Sequence, residues 1–245
     1  MFKATIDADL LKDSIESLSV LVDEARFRIS PEGIAVRAVD PANVAMVTLD
    51  LAASAFDEFN ANDCEIGMDL TKLTDALSLI DKNDKIIIEL DDLSQKLALH
   101  IAGLSYTLSL LDPSTIRADP RIPQLDLPAE VVMNGKDLRR AVKASEKISD
   151  HMLFGIEGDL FYMEAEGDTD RVRVEMTRDQ LIDLKPEDTH SLFSLDYLSD
   201  IVKPIAKSNE VHLEFGMDFP IKISTNFANG VLKVSYLLAP RIESD

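Results

Sequence analysis

The second half of this chain repeats the pattern of its first about 125 residues later, and that duplication restricts the fold more than any local motif. Asp69 and Ser194 each read as an N-cap residue. Apolar residues at helical spacing follow each: Leu73, Ala76, Leu77 and Ile80 in one half, Leu198, Ile201, Val202 and Ile205 in the other. Both segments break at a polar turn, Lys82-Asn83-Asp84-Lys85 or Lys207-Ser208-Asn209-Glu210. Each then alternates as a strand, Ile86, Ile88 and Leu90 against Val211, Leu213 and Phe215. Two similar domains are implied. Length agrees, because 245 residues exceed one ordinary hydrophobic core.

Earlier in each half the same order is expected. Asp7 can cap a helix running to about Val22, with Leu11, Ile15, Leu18 and Val22 on one face. Strands Arg26–Ser30 and Ile34–Val39 follow, joined by the turn Ser30-Pro31-Glu32-Gly33. In the second half Asn134 takes the capping position, Leu138 and Val142 the apolar face, and strands follow around Phe154 and Ile156, then Phe161, Met163 and Ala165. Two helices packed on antiparallel sheets in each domain make an α+β architecture. Between the halves, four prolines fall among residues 112–128, which excludes a helix interior or a central strand. The expected division is 1–112, a connector 113–130, and 131–245. The connector's spaced aliphatics, Ile122, Leu125 and Leu127, suggest the wall of a groove.

Composition removes several classes. Apolar content is 46%, and no apolar run approaches the ~18 residues that read as a membrane span. The first residues, Met1 to Ile6, read as a strand and not as a signal peptide. The single Cys64 excludes a disulfide framework and fits a reducing cytoplasm, where it is expected to be a small buried residue. No nucleotide-binding, zinc-protease, CxxC or nucleophile-elbow motif is present. His100, His151, His190 and His212 stand apart from one another, and His100 and His212 sit in expected strands. No metal, cofactor or catalytic set is therefore expected.

The net charge of −20 argues, taken alone, against a nucleic-acid partner. Distribution matters more than the total. Between Asn134 and His151 lie Lys136, Arg139, Arg140, Lys143 and Lys147, and at about 100° per residue 136, 140, 143 and 147 share one stripe. Other expected helices add Lys12, Lys72, Lys203 and Lys207, with Lys82 in a turn. An ordinary solvated helix face would look similar; a positive lining inside an acidic body is the other interpretation.

Three segments carry a family resemblance: Val39-Asp40-Pro41-Ala42-Asn43-Val44-Ala45-Met46-Val47, the proline-rich connector ending Leu125-Asp126-Leu127-Pro128, and the terminal Leu238-Ala239-Pro240-Arg241-Ile242-Glu243. Together they resemble proliferating cell nuclear antigen, the sliding clamp of archaea and eukaryotes, over the whole chain. The length and close domain matching look archaeal. The resemblance implies the DNA-clamp fold, a homotrimeric six-domain ring around duplex DNA that serves as a polymerase processivity factor and has no enzyme activity. Lys12, Lys72, Lys82, Lys136, Arg139, Arg140, Lys143, Lys147, Lys203 and Lys207 would face the channel; the first helix departs from expectation in carrying Asp13 and Glu16 beside Lys12.

The resemblance also implies an apolar groove made by Val39, Val44, Met46, Leu125, Leu127, Phe219, Pro220, Leu237, Leu238, Ala239 and Pro240. A short Gln-x-x-aliphatic-x-x-aromatic-aromatic peptide of polymerases, flap endonuclease or DNA ligase would dock there, and a clamp loader would act on the ring. The family often has an aromatic residue where this chain has Leu237. Ring closure would pair two edge strands, Tyr106, Leu108, Leu110 and Leu111 on one subunit with Arg171, Val172, Arg173, Val174, Glu175 and Met176 on the next. A cytoplasmic location without membrane contact is implied, and the Asp-rich surface suggests a salt-loving host. A clamp-like subunit of a heterotrimer, or an acidic two-domain enzyme or regulator, are the competing readings.

Overall fold

The computed structural model describes residues 1–81, 83–91, 93–101 and 103–242. Strand β1 (Phe2–Asp7) leads into α1 (Ala8–Ser19). Strands β2 (Glu24–Ser30), β3 (Gly33–Val39), β4 (Ala45–Ala52), β5 (Phe56–Ala61) and β6 (Cys64–Asp69) follow, then α2 (Leu70–Ser78), β7 (Lys85–Asp91), β8 (Lys96–Ile101) and β9 (Leu104–Ser109). After the connector the succession returns: β10 (Ala129–Met133), α3 (Gly135–Ser145), β11 (His151–Glu157), β12 (Leu160–Glu166), β13 (Arg171–Thr177), β14 (Asp183–Lys185), β15 (Thr189–Ser194), α4 (Leu195–Ile205), β16 (Val211–Phe215), β17 (Ile221–Phe227) and β18 (Leu232–Leu238). Strand, helix, five strands, helix, three strands thus occurs twice, element for element.

Strand neighbours repeat as well. The order β5-β1-β7-β8-β9 in the first half matches β14-β10-β16-β17-β18 in the second, and β4-β3-β2-β6 matches β13-β12-β11-β15. By this correspondence β13 is the counterpart of β4, and β9 that of β18. The chain forms two compact units, one from Met1–Pro41, Met46–Pro120 and Phe227–Val234, the other from Ala42–Ala45, Arg121–Asn226 and Ser235–Asp245.

Period-two burial builds each sheet. In β1, Phe2, Ala4 and Ile6 are buried while Lys3 and Asp7 are exposed. Helix α1 buries Leu11, Ile15 and Leu18, and α2 buries Leu73, Ala76 and Leu77, the spacing of one helical face. In the second unit four rings fill the core: Phe154 lies edge-on to Phe193 with centroids 5.7 Å apart, Phe161 is 6.3 Å from Phe154, and Phe215 is 6.4 Å from Phe161.

Helix starts are less local than the sequence implies. Asp69 accepts from the Lys72 amide and Asn134 from the Lys136 amide, each at 3.0 Å. Asp7 and Ser194 make no side-chain cap. Asp7 stands opposite Lys85 in the β1–β7 register and pairs with its ammonium at 2.8 Å, so its carboxylate is taken. All four helices share another device. The first helical amide donates to a carbonyl in the segment following the other helix of the same unit: Ala8 to Asp84 (2.9 Å), Leu70 to Asp23 (2.8 Å), Gly135 to Ser208 (3.1 Å) and Leu195 to Asp150 (2.9 Å). An orphan helix-end donor is satisfied by backbone in every case, which makes a side-chain cap dispensable.

Gly33 takes φ +142°, and a Cβ there would lie 2.2 Å from the Leu51 carbonyl oxygen. Backbone cannot swing aside as a side chain can, so Gly33→Ala should cost about 2–4 kcal/mol, read as a shifted urea midpoint.

His212 on β16 bridges two carboxylates, Nδ1 to Glu130 at 2.8 Å and Nε2 to Glu210 at 3.0 Å. Partial burial opposes its charge, but the two carboxylates outweigh burial and raise its pKa above the ordinary 6.5. The folded state therefore favours the proton. This contribution is complete below about pH 6.5 and is lost as pH climbs through the raised value. The stability gap between the parent chain and His212→Gln should narrow from pH 6 to 8.5 in urea titrations; a constant gap contradicts the pairing.

Candidate nucleic-acid and partner interfaces

Helices α3 and α4 pack through Leu138, Ala141 and Val142 on one and Leu198, Ile201, Val202 and Ile205 on the other, all buried. Their outer faces are consequently turned to solvent. There Lys136, Arg139, Arg140 and Lys143 from α3, with Lys203 and Lys207 from the end of α4 and its following turn, line one shallow depression of about 630 Å³ together with Ala144 and Ala206. Lys203 is paired with Asp200 at 2.6 Å. Among the described residues, Lys136, Arg139, Arg140 and Lys143 form no ion pair. Four uncompensated cations on about two helical turns repel one another and favour a multivalent anion. Lys147 lies outside this group: α3 ends at Ser145, the Ile148 and Ser149 amides turn back onto the Ser145 carbonyl, and Lys147 is exposed beyond the helix.

The first unit differs. The Lys12 ammonium donates to the Ile80 carbonyl two residues past the end of α2, and Lys72 pairs with Asp69 at 3.1 Å. The depression between α1 and α2 is lined by Lys12, Glu16, Ile15, Thr74, Leu77 and Ser78. Counting from the capping positions Asp7 and Asn134, the counterparts of Lys136, Arg139, Arg140 and Lys143 are Asp9, Lys12, Asp13 and Glu16. Three of four cationic positions are acidic here, so positive potential is concentrated on the second unit. Lys82 lies outside the described residues.

Apolar side chains gather in the second unit. Phe219 is half exposed, and a Cβ on Gly216 would fall 3.0 Å from its ring and 3.2 Å from Pro128, which places the connector's end beside the 216–220 turn. Ser191 Oγ donates to the Phe219 carbonyl at 3.0 Å and holds that turn, while Asp218 takes φ +55°. Leu125 is exposed; Leu127, Pro220, Leu237, Ala239 and Pro240 are half-buried. Val44 joins them through its carbonyl, which accepts from the Ala239 amide at 2.9 Å. In the first unit Val39 and Met46 pair across β3 and β4. Leu238 and Met46 differ from expectation. Both are buried, because alternation in β18 sends Leu232, Val234, Tyr236 and Leu238 inward and Leu237 outward, and Met46 faces the core beside Ala45 and Val47. Met217, about half exposed beside Phe219, was not among the expected residues; its turn position carries no apolar periodicity that could mark it.

Both strands expected at subunit contacts end a sheet. Among the described residues, strand β13 borders β12 alone and β9 borders β8 alone. On β13, Arg173 lies 4.1 Å over the Tyr162 ring and 2.7 Å from both Glu164 and Glu175, while Arg171 reaches Glu164 at 2.6 Å. These hydrogen bonds hold the Glu164 carboxyl below its usual range. Val172, Val174 and Met176 pair with Ala165, Met163 and Phe161 and remain half-buried, as expected of a sheet whose last strand has no neighbour. Strand β9 stops at Ser109. Leu110 and Leu111 leave it, donating instead to the Gln95 and Gly67 carbonyls, Leu108 is buried, and Tyr106 is half-buried. In the first unit β4 has company where, among the described residues, β13 has none: the Ala52 amide donates to the Val231 carbonyl at 2.9 Å.

A twice-repeated α+β unit with cationic helices and unpaired sheet edges defines the DNA-clamp class. The family model for the proliferating cell nuclear antigen N-terminal domain matches residues 1–105. The DNA polymerase sliding clamp of Methanococcoides burtonii is 71% identical over the full length of both chains, that of Methanosarcina mazei 67%, and that of Halobacterium salinarum 49%. Among solved structures, the A. fulgidus PCNA with the C-terminal region of FEN-1 bound superposes with TM-score 0.95 at 35% identity, covering all of both chains. The Thermococcus kodakaraensis PCNA gives 0.91 at 29% identity, covering 98% of this chain and 100% of that one. The chain belongs to the archaeal DNA polymerase sliding clamp family, the proliferating cell nuclear antigens.

Proposed function

We propose that the chain closes with two further copies into a ring around duplex DNA, tethers the replicative polymerase, and has no catalytic activity of its own. The observation that carries this reading is the cationic face of α3 and α4, on which Lys136, Arg139, Arg140 and Lys143 form no ion pair among the described residues, in a chain of net charge −20. Phosphates are attracted to one helix pair, while the acidic remainder discourages adhesion elsewhere. Retention then comes from closure, and weak contacts leave the ring free to slide. The division 1–112, 113–130 and 131–245 assigns one clamp domain to each half, with β9 of one subunit extending the sheet edge at β13 of the next. This junction follows from the correspondence of β9 with β18 and of β13 with β4.

Partner docking is assigned to the apolar residues around Phe219 and the connector. The A. fulgidus relative, solved with the C-terminal region of FEN-1, supports a peptide-docking role. Flap endonuclease, polymerases and DNA ligase would anchor an aromatic pair there, a clamp loader would open the ring, and the cytoplasm is the site of action. The finer reading of a salt-adapted host calls for stability that rises with KCl. Primer extension on circular single-stranded DNA with the cognate polymerase and loader tests the function: longer products on adding the chain support it, and unchanged product length removes it.

A further inference from the structure

The connector divides into two parts of different physical character. Residues 112–120 are fastened to the first unit. Arg26 and Arg28, alternate residues of β2, project from the face opposite the buried Ala25, Phe27 and Ile29. Arg26 donates through Nε (3.2 Å) and Nη2 to the Ile116 carbonyl, and Arg28 Nη2 pairs with Asp119 Oδ2 at 2.9 Å. Arg117 Nη1 donates to the Asp40 carbonyl at 3.0 Å, and the Ile116 side chain is buried. Gly67 makes room for this: a Cβ there would stand 2.6 Å from the Leu111 carbonyl oxygen and 2.7 Å from Ile116 Cδ1. By contrast, no residue from Arg121 to Leu127 forms a hydrogen bond among the described residues, and 121–126 are all exposed.

From this contrast we infer that Arg26 and Arg28 are positioning residues for peptide docking: they clamp 112–120 as a strap, so that only 121–127 adjusts to an incoming peptide. The inference rests on the docking role proposed above. A loose segment that must order on binding weakens association, and fixing most of it beforehand removes that cost. Arg28 is the more decisive clamp. Asp119 Oδ1 is buried without a partner, so the carboxylate depends on Arg28 for compensation, and removing the guanidinium leaves a buried charge that the strap can relieve only by lifting off.

Two measurements on the full chain test this. Limited trypsin digestion compares cleavage after Arg117, in the strap, with cleavage after Arg121, in the arm. Fluorescence anisotropy follows a labelled synthetic Gln-x-x-aliphatic-x-x-aromatic-aromatic peptide at a temperature where every variant is folded. In the parent, cleavage after Arg121 should be at least ~10-fold the faster. Arg28→Ala should equalise the two rates and weaken peptide binding about tenfold. Arg28→Lys should restore both, and Asp119→Asn in the Arg28→Ala background should restore most, since it removes the orphaned charge. Gly67→Ala reaches the strap without touching either arginine and should have the same two effects. Arg28→Ala that frees Arg117 yet binds peptide as the parent does overturns the positioning role, and so does Arg117 staying protected. Failure of the parent to bind the peptide overturns the docking reading itself, and that outcome is separable because the strap's protection is scored without peptide.

Discussion

A proline at Arg173 or at Val174 is expected to convert a species of three times 27.1 kDa into one of 27.1 kDa. Amides along a strand point alternately to either side, so one of these two faces β12 and the other faces outward, where β13 has no neighbour among the described residues. The outward variant removes a donor from the junction and sets a ring against the incoming strand, while the β12 ladder stays intact, as proline on the open side of an edge strand is tolerated. A loss of about 3 kcal/mol at each junction is roughly a hundredfold in its constant, and a closed trimer depends on three junctions at once. Of the two, the variant that keeps the parent's urea midpoint isolates the junction from the fold. Light scattering reads the outcome. Persistence of the trimer in both variants would mean that β13 is not at the contact.

Replacing Lys136, Arg139, Arg140 and Lys143 together with alanine should leave the mass at three subunits and cut polymerase stimulation about tenfold or more, with the deficit largest at low salt. None of the four is paired with a carboxylate, so their removal orphans no charge, and all four are exposed, so little packing is lost. Each phosphate contact that disappears should flatten the dependence of log affinity on log salt by ~0.9, which makes the slope a count of how many side chains reach DNA. The reciprocal change, Asp9, Asp13 and Glu16 to lysine, gives α1 the charge pattern of α3. It should tighten binding to duplex DNA and slow movement along it. An unchanged slope in the alanine variant would place DNA elsewhere on the molecule.

Much of this molecule is legible in the sequence because helix and strand periods are local. The spacings Leu73–Ile80 and Leu198–Ile205 mark α2 and α4, and the alternation from Arg171 to Thr177 marks β13 at the bounds observed. Cross-chain relations are not local, and there the sequence is silent. Asp7 looks like a cap until Lys85 arrives opposite it in the β1–β7 register. The carbonyls of Asp84, Asp23, Ser208 and Asp150 that receive the first helical amides carry no side-chain signature at all. Lys147 falls on a helical stripe only if α3 continues, and nothing between Ser145 and His151 announces the turn. Leu238 and Leu237 differ in role through the phase of β18, which the adjacent pair of leucines does not itself reveal. Arg26 and Arg28 read as ordinary outward residues of a strand; their partners lie some 90 positions on, at Ile116 and Asp119.

Encirclement is the central claim, and its most direct test is retention on DNA of different topology. The chain is loaded onto nicked circular plasmid, washed at a salt concentration that removes simple phosphate contacts, and the bound fraction is read before and after a restriction enzyme opens the circle. Ring closure predicts protein that survives the wash on the circle and is lost when the DNA becomes linear. Protein washed from the circle as readily as from linear DNA, or retained equally after cutting, would contradict it.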